Sequence, residues 1–345
     1  ANRKGITAVL AAVGLAFSFG LTLAQTGQSL LAFNGMAVVD GFAVLLNVIF
    51  LLSGIAGVAL AHDYLKRMES SRGEYYVLLL FSIGGMMLMS YANDLIVVFL
   101  ALELLSIPLY ILSAMMHQNP RSEEAGLKYF LLGTFSSAFV LYGVALMYGA
   151  TARTDLPGII AAVTGAPANM PLFVAGAALL LVGFGFKVAA VPFHMWTPDV
   201  YQGAPSPLTG FMSVGAKAAG FAALMRVFIT ALPGIAVDMT PILVGLAALT
   251  MIVGNIIAVG QNNIKRMLAY SSIAHAGYML MAFVPYGNSQ VSADAVASLL
   301  FYLVSYAFTS LGAWAVVVAL EGRVGRALQM QDHSGVGRKY PWLAV

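Results

Sequence analysis

The chain has 345 residues, of which 60% are hydrophobic and only 9% charged, with a net charge of +3 and no cysteine. A soluble domain carries roughly 25% charged residues, so this chain cannot cover itself with polar surface in water, and its solvent must be lipid. The absence of cysteine excludes disulfides, thiolate metal sites and iron–sulfur ligation, which places any redox chemistry on a partner. The small basic excess reads as the charge bias of membrane loops rather than as a nucleic-acid footprint.

A membrane-spanning helix needs about 20 mostly apolar residues, and about ten segments qualify. In chain order they are approximately 5–24, 39–61, 75–91, 95–116, 127–150, 171–193, 207–232, 241–260, 267–284 and 295–320. Lipid offers no partner to backbone amides, and none of these runs alternates polar with apolar, so the class is all-α and polytopic. The first run follows Arg3 and Lys4 but has spanning length, so no signal peptide is recognised. Because the chain starts at Ala1 without methionine and stops as an apolar run resumes after Pro341, it reads as a fragment of a longer protein.

Following alternate helix ends sorts the basic residues. Arg3, Lys4, Lys66, Arg67, Arg72, Arg121, Lys265, Arg266, Arg323, Arg326, Arg338 and Lys339 fall on one side, and only Arg153 and Arg226 on the other. The basic side is expected to face the cytoplasm. Asp40 and Asp94 open apolar runs and read as helix N-caps or first-turn acids at the interface. The prolines between Trp196 and Pro207 suggest a rigid turn.

Glu103, Lys128, Lys187 and Lys217 remain inside the spans. Glu103 lies about 14 Å of helix rise from the start of its run, near mid-membrane, where a charged carboxylate costs at least about 2.5 kcal/mol. Pro108 frees a carbonyl beside it. The alternative is a structural acid bonded across a helix pair. Lys187 follows Gly183 and Gly185 and precedes Pro192, so its helix is expected to break. Such breaks at membrane depth mark ion and substrate sites in transporters, and a lysine there is a candidate proton carrier. Snorkelling to the interface is its alternative. Lys217, between Gly215-Ala216 and Ala218-Ala219-Gly220, is too deep to snorkel, and its small neighbours admit a close helix. Lys128 is near enough to Arg121 to reach the interface. His275, with Ser271 and Ser272 upstream, is either a relay group or a packing histidine. Ionisable groups spread over several helices suit a proton relay.

Several strings resemble the subunit N type of the proton-pumping membrane subunits of respiratory complex I. They are Asn93-Asp94-Leu95 with Leu100 through Glu103 to Pro108 and Tyr110, Leu127-Lys128-Tyr129-Phe130 with Ser136-Ser137, Lys187 through Pro192 and Trp196 to Pro205, and Asn263-Ile264-Lys265-Arg266 through Ser272. The last string is shared by cation/proton antiporter subunits.

The resemblance implies an antiporter-like fold of about fourteen spans, built as two inverted five-helix repeats with broken helices. Residues 1–72 would then hold two N-terminal helices, 73–235 the first repeat and 236–345 part of the second, with truncation at both ends. It further implies proton translocation coupled to electron transfer between NADH and quinone, with flavin (FMN), iron–sulfur clusters, NADH and quinone on partner subunits and no cofactor here. Further antiporter-like membrane subunits would be neighbours, in a bacterial plasma membrane or an organellar inner membrane. Glu103 would tune Lys187, Lys217 would pass charge along the axis, and Lys128 would be an additional family lysine. The alternatives are a subunit of a multisubunit sodium/proton antiporter or membrane hydrogenase, and a scaffold with inert buried charges.

Overall fold

The computed structural model describes residues 4–68, 73–116, 119–164, 169–232, 235–286, 288, 290–324 and 328–344. Arg3, Arg72 and Arg326 of the basic set lie outside them. Helix α1 (Lys4–Ala24) is followed by a short antiparallel hairpin, β1 (Leu30–Ala32) with β2 (Ala37–Val39), and then α2 (Gly41–Arg67). Asp40 caps α2 by accepting from the Ala43 amide at 2.8 Å. Next come α3 (Gly73–Tyr91), α4 (Leu95–Ser113), α5 (Pro120–Thr151) and the short α6 (Leu156–Thr164). Asp94 caps α4 in the same way, through the Ile96 amide at 2.8 Å. Asp155 binds Arg153 and the Gly158 amide at the start of α6. The hydrogen bond from Arg153 holds its carboxyl below the usual carboxylate range.

The seventh helix is broken, as the glycine–proline spacing requires. Its first half, α7 (Met170–Val188), ends at Ala189 with φ +61°, and its second half, α8 (Trp196–Gly203), resumes after an irregular stretch. Residues expected to form a turn, from Trp196 onward, are therefore helical. The prolines do not prevent this, because Pro198 sits in the first turn, where a missing amide costs nothing.

Helix α9 (Ser206–Ile229) runs through the middle of the molecule, with 94% of its apolar stretch buried. It contains a wide π-helical turn at Met212–Ala216 and runs into a second one at Met225–Ala231. The chain continues through α10 (Ala236–Val259), α11 (Ile264–Leu280) and α12 (Ser292–Val324).

Among the described residues nine helices are long and apolar enough to span a membrane. The tenth expected span, 267–284, is α11, which has 17 residues and passes into a tight turn at Met281–Phe283. Its hydropathy is diluted by Lys265, Arg266, Ser271, Ser272 and His275. The hairpin and α6 were not foreseen, because neither carries a long periodic apolar run.

Close crossings of small residues hold the helices together, as expected in lipid, where packing replaces the hydrophobic drive. One close crossing is between α3 and α4. A Cβ on Gly85 would land on the Leu105 amide nitrogen and within 2.8 Å of the Leu104 carbonyl carbon. Ser82 closes the same crossing by donating to the Leu105 carbonyl at 3.0 Å. Gly85→Ala is therefore expected to push back the segment that carries Glu103, at about 1–3 kcal/mol. Thermal unfolding of the purified protein measures this, and an unchanged midpoint would show that the crossing yields.

Candidate functional site

The break in the seventh helix positions Lys187. Ending a helix in the membrane orphans its last carbonyls, and here those of Gly185 and Phe186 find donors. Ala189 and Ala190 return their amides to Phe186 and Gly185, and the Trp196 indole donates to the Phe186 carbonyl at 2.9 Å. The Val191 amide is taken by Thr250 of α10 at 2.9 Å. Lys187 occupies the last turn of α7, where the carbonyl end of the helix favours a cation.

The Lys187 side chain is 5% exposed. Its ammonium lies over the rings of Tyr110 and Tyr129, 5.7 and 5.5 Å from their centroids. Tyr129 stacks on Trp196, so the second half-helix braces this cage. Glu103 is the acid whose charge reaches Lys187. The two form no ion pair, and Glu103 Oε1 is buried without a hydrogen-bond partner among the described residues. Helix α4 runs unbroken through Pro108.

Lys217 is 3% exposed and follows directly on the π-helical turn Met212–Ala216. Wide turns of this kind occur disproportionately at functional sites. Its ammonium donates to the Ser272 carbonyl of α11 and sits 5.9 Å from the centre of the Tyr306 ring. Tyr306 in turn donates to the Ser272 hydroxyl at 2.8 Å.

Gly220, one turn beyond Lys217, brings α9 against the end of α7. A Cβ there would stand 2.9 Å from Val188 Cγ1 and 3.2 Å from Lys187 Cβ. The two buried lysines therefore belong to one tightly packed junction. His275 follows on α11, where the charge of Lys217 reaches it. Its Nδ1 lies 2.7 Å from the Tyr302 hydroxyl, and its ring packs against Tyr278, Tyr302 and Tyr306.

Glu103, Lys187, Lys217 and His275 thus fall in that order from α4 to α11. Lys128 does not join them. It is 41% exposed and binds Asp199 and Glu124, each at 2.7 Å. Asp199 also binds Arg266 at 2.6 Å. That network ties the second half-helix to α5 and α11 at the end of the molecule that also gathers Arg67, Arg121 and Lys265 around one cavity. Arg226, paired with Asp40, and Arg153 lie at the opposite end.

Reading along the chain did not single out Asp199, Tyr306 or Ser272 as partners. Asp199 stands behind a tryptophan–threonine–proline run that looked like a turn. The other two are ordinary polar residues in apolar helices.

A helical membrane protein with a broken helix and lysines buried along its middle has the character of an antiporter-like transporter subunit. The family model described as "NADH:quinone oxidoreductase/Mrp antiporter, TM" matches residues 92–345. NADH-quinone oxidoreductase subunit N 2 of Roseiflexus castenholzii is 46% identical, over 100% of this chain and 70% of its own length. A chain of respiratory complex I from Thermus thermophilus, solved with bound aureothin, superposes with a TM-score of 0.80 at 39% identity, over 99% of this chain and 70% of that one. A chain of the Mrp complex from Dietzia sp. DQ12-45-1b reaches a TM-score of 0.86 over 99% of this chain and 64% of that one; at 21% identity it speaks for the fold alone. The chain belongs to the antiporter-like family of NADH:quinone oxidoreductase and Mrp membrane subunits. Within it, the chain is a member of the subunit N group of NADH-quinone oxidoreductases.

Proposed function

We propose that this chain carries protons through the membrane arm of a NADH:quinone oxidoreductase, with Glu103, Lys187, Lys217 and His275 as successive stations. The observation that supports this most is the junction at Gly220. It packs Lys187 against the helix that carries Lys217, each lysine at most 5% exposed, with no carboxylate in ion-pair contact with either among the described residues. Such groups are costly in a membrane interior and are kept where a charge has to move.

Glu103 acts on Lys187 through space, so a small displacement of α4 changes how strongly the ammonium form is held. A proton leaving Lys187 can be taken up at Lys217, and the Ser272–Tyr306 pair links that lysine towards His275. Residues 73–235 form the first inverted repeat in this reading, and 236–345 part of the second. Lys128 stands outside the relay, anchoring the second half-helix through Asp199. Electron transfer takes place on partner subunits that carry FMN, iron–sulfur clusters and the quinone site. Other antiporter-like subunits flank this one in a bacterial plasma membrane, with the basic end in the cytoplasm.

The test uses the assembled complex in vesicles, following NADH oxidation and proton uptake together. Lys217→Ala and Glu103→Ala are each expected to abolish pumping and to inhibit electron transfer. Normal pumping in both variants would overturn the assignment. Sodium-dependent transport without NADH turnover would favour the antiporter reading.

A further inference from the structure

At the basic end of the molecule a cavity of about 830 Å³ lies between α2, α5, α8, α11 and α12. Glu321, near the end of α12, is the only carboxylate lining it among the described residues, against Arg67, Arg121 and Lys265. One oxygen of Glu321 accepts a hydrogen bond from the Ser206 hydroxyl at 2.8 Å, and Ser206 begins the central helix α9. The other oxygen is buried and has no hydrogen-bond partner among the described residues. Lys265 feels the charge of Glu321 but donates to the Ala204 carbonyl at 2.7 Å instead of pairing with it. A buried carboxylate oxygen left unpaired beside three cations, none of them in ion-pair contact with it, makes poor sense as a structural element, since an unmade bond of this kind costs about 1–3 kcal/mol. It makes good sense as a place to put a proton.

The route inward is visible on the facing sides of α9 and α12. Beyond Ser206, the Ser213 and Ser310 hydroxyls meet at 2.8 Å, and one turn along α12 from Ser310 Tyr306 donates to the Ser272 hydroxyl. Ser272 holds Lys217. Between the outer pair, Glu321 with Ser206, and the inner group stands Trp314. It is 1% exposed, and its Cβ would lie 2.9 Å from a Cβ on Gly210. The indole separates the two polar layers.

We propose that Glu321 is the outer proton-loading carboxylate of this subunit. It takes a proton from cavity water and hands it, through the Ser206 hydroxyl and past Trp314, towards Lys217. In each transfer an O–H bond, or at Lys217 an N–H bond, forms on the acceptor as an O–H bond breaks on the donor, and no oxidant is involved. The inference rests on the relay reading above, with Lys217 as the station that receives the proton.

The experiment measures NADH:quinone turnover and proton uptake by the assembled complex in vesicles. Glu321→Gln is expected to lower both by about tenfold or more, and Glu321→Asp to restore much of the loss. Glu321→Ala opens room in the cavity, and added formate, a small carboxylate that can shuttle protons, is expected to raise its turnover while leaving the wild type unchanged. A merely structural glutamate would not respond to formate. Should the Glu321 variants fail to assemble, Ser206→Ala keeps the acid and removes its outlet, and a slow Ser206→Ala with an active Ser206→Thr supports the route. Normal pumping in Glu321→Gln or in Ser206→Ala, with Lys217→Ala inactive, overturns this inference and leaves the relay standing. Normal pumping in Lys217→Ala overturns the relay itself.

Discussion

Asp40→Ala is expected to destabilise the protein by about 3–5 kcal/mol, because it strands a buried cation. Arg226 is 7% exposed. It donates to both Asp40 oxygens, at 2.7 and 2.8 Å, and to the Ser90 carbonyl at 2.8 and 3.0 Å. Its guanidinium also rests 4.5 Å from the centre of the Phe42 ring. Removing the carboxylate leaves a buried charge with one neutral acceptor, and water reaches it only from the side that the partly exposed Asp40 occupied. The same change removes the cap of α2, which is worth about 1 kcal/mol. Asp40→Asn retains a capping oxygen but not the charge, so it is expected to fall between the wild type and Asp40→Ala. Asp40→Ala with Arg226→Met is expected to recover most of the loss, since replacing both partners of a buried pair by apolar groups is far cheaper than breaking it. Thermal unfolding of the purified complex ranks the variants, and a wild-type midpoint for Asp40→Ala would show the pair to be idle.

Gly220→Val is expected to cut proton pumping by about tenfold to a hundredfold while the subunit still assembles. The added Cβ alone would stand 2.9 Å from Val188 Cγ1 and 3.2 Å from Lys187 Cβ, and the γ branches need further room, so α9 must move away from the end of α7. Overpacking of this kind costs about 1–3 kcal/mol, which a subunit held by many helices tolerates. Transfer between the lysines is less forgiving, because a displacement of about 1 Å between reacting groups can cost about a hundredfold in rate. Gly220→Ala should lie between glycine and valine. Parallel rates of NADH oxidation and vesicle acidification give the effect directly. A valine variant that pumps normally would mean that protons do not cross at this junction.

Much of this architecture was legible in the chain because hydropathy and backbone chemistry leave few options in lipid. The spans, the caps at Asp40 and Asp94, the separation of basic residues to one end and the break after Lys187 follow from residue type and spacing. Glu103, Lys187 and Lys217 stood out because a charge in an apolar run is expensive wherever the helix ends up. Lys128 shows the limit of that argument. Its span begins seven residues earlier than the apolar run, at Pro120, which shifts it outward to Asp199 and Glu124. A helix end set by the Asn119 cap cannot be placed from hydropathy.

What the sequence determined by itself is that this is a polytopic helical membrane protein keeping an acid and lysines where lipid would reject them, and its family strings placed it among antiporter-like subunits. Which of those charges face one another was decided only by the tertiary structure. Contacts such as Gly220 on Lys187, Lys217 on Ser272 and Ser206 on Glu321 join residues from 33 to 115 positions apart, and no local pattern encodes them. They arise because small residues let particular helices cross closely, and the crossing sets which polar groups meet. The half-buried glutamate at position 321 is the clearest case. In sequence it ends an apolar run and looks like an interfacial charge; in the fold, α9 covers it and gives it a hydroxyl to speak to.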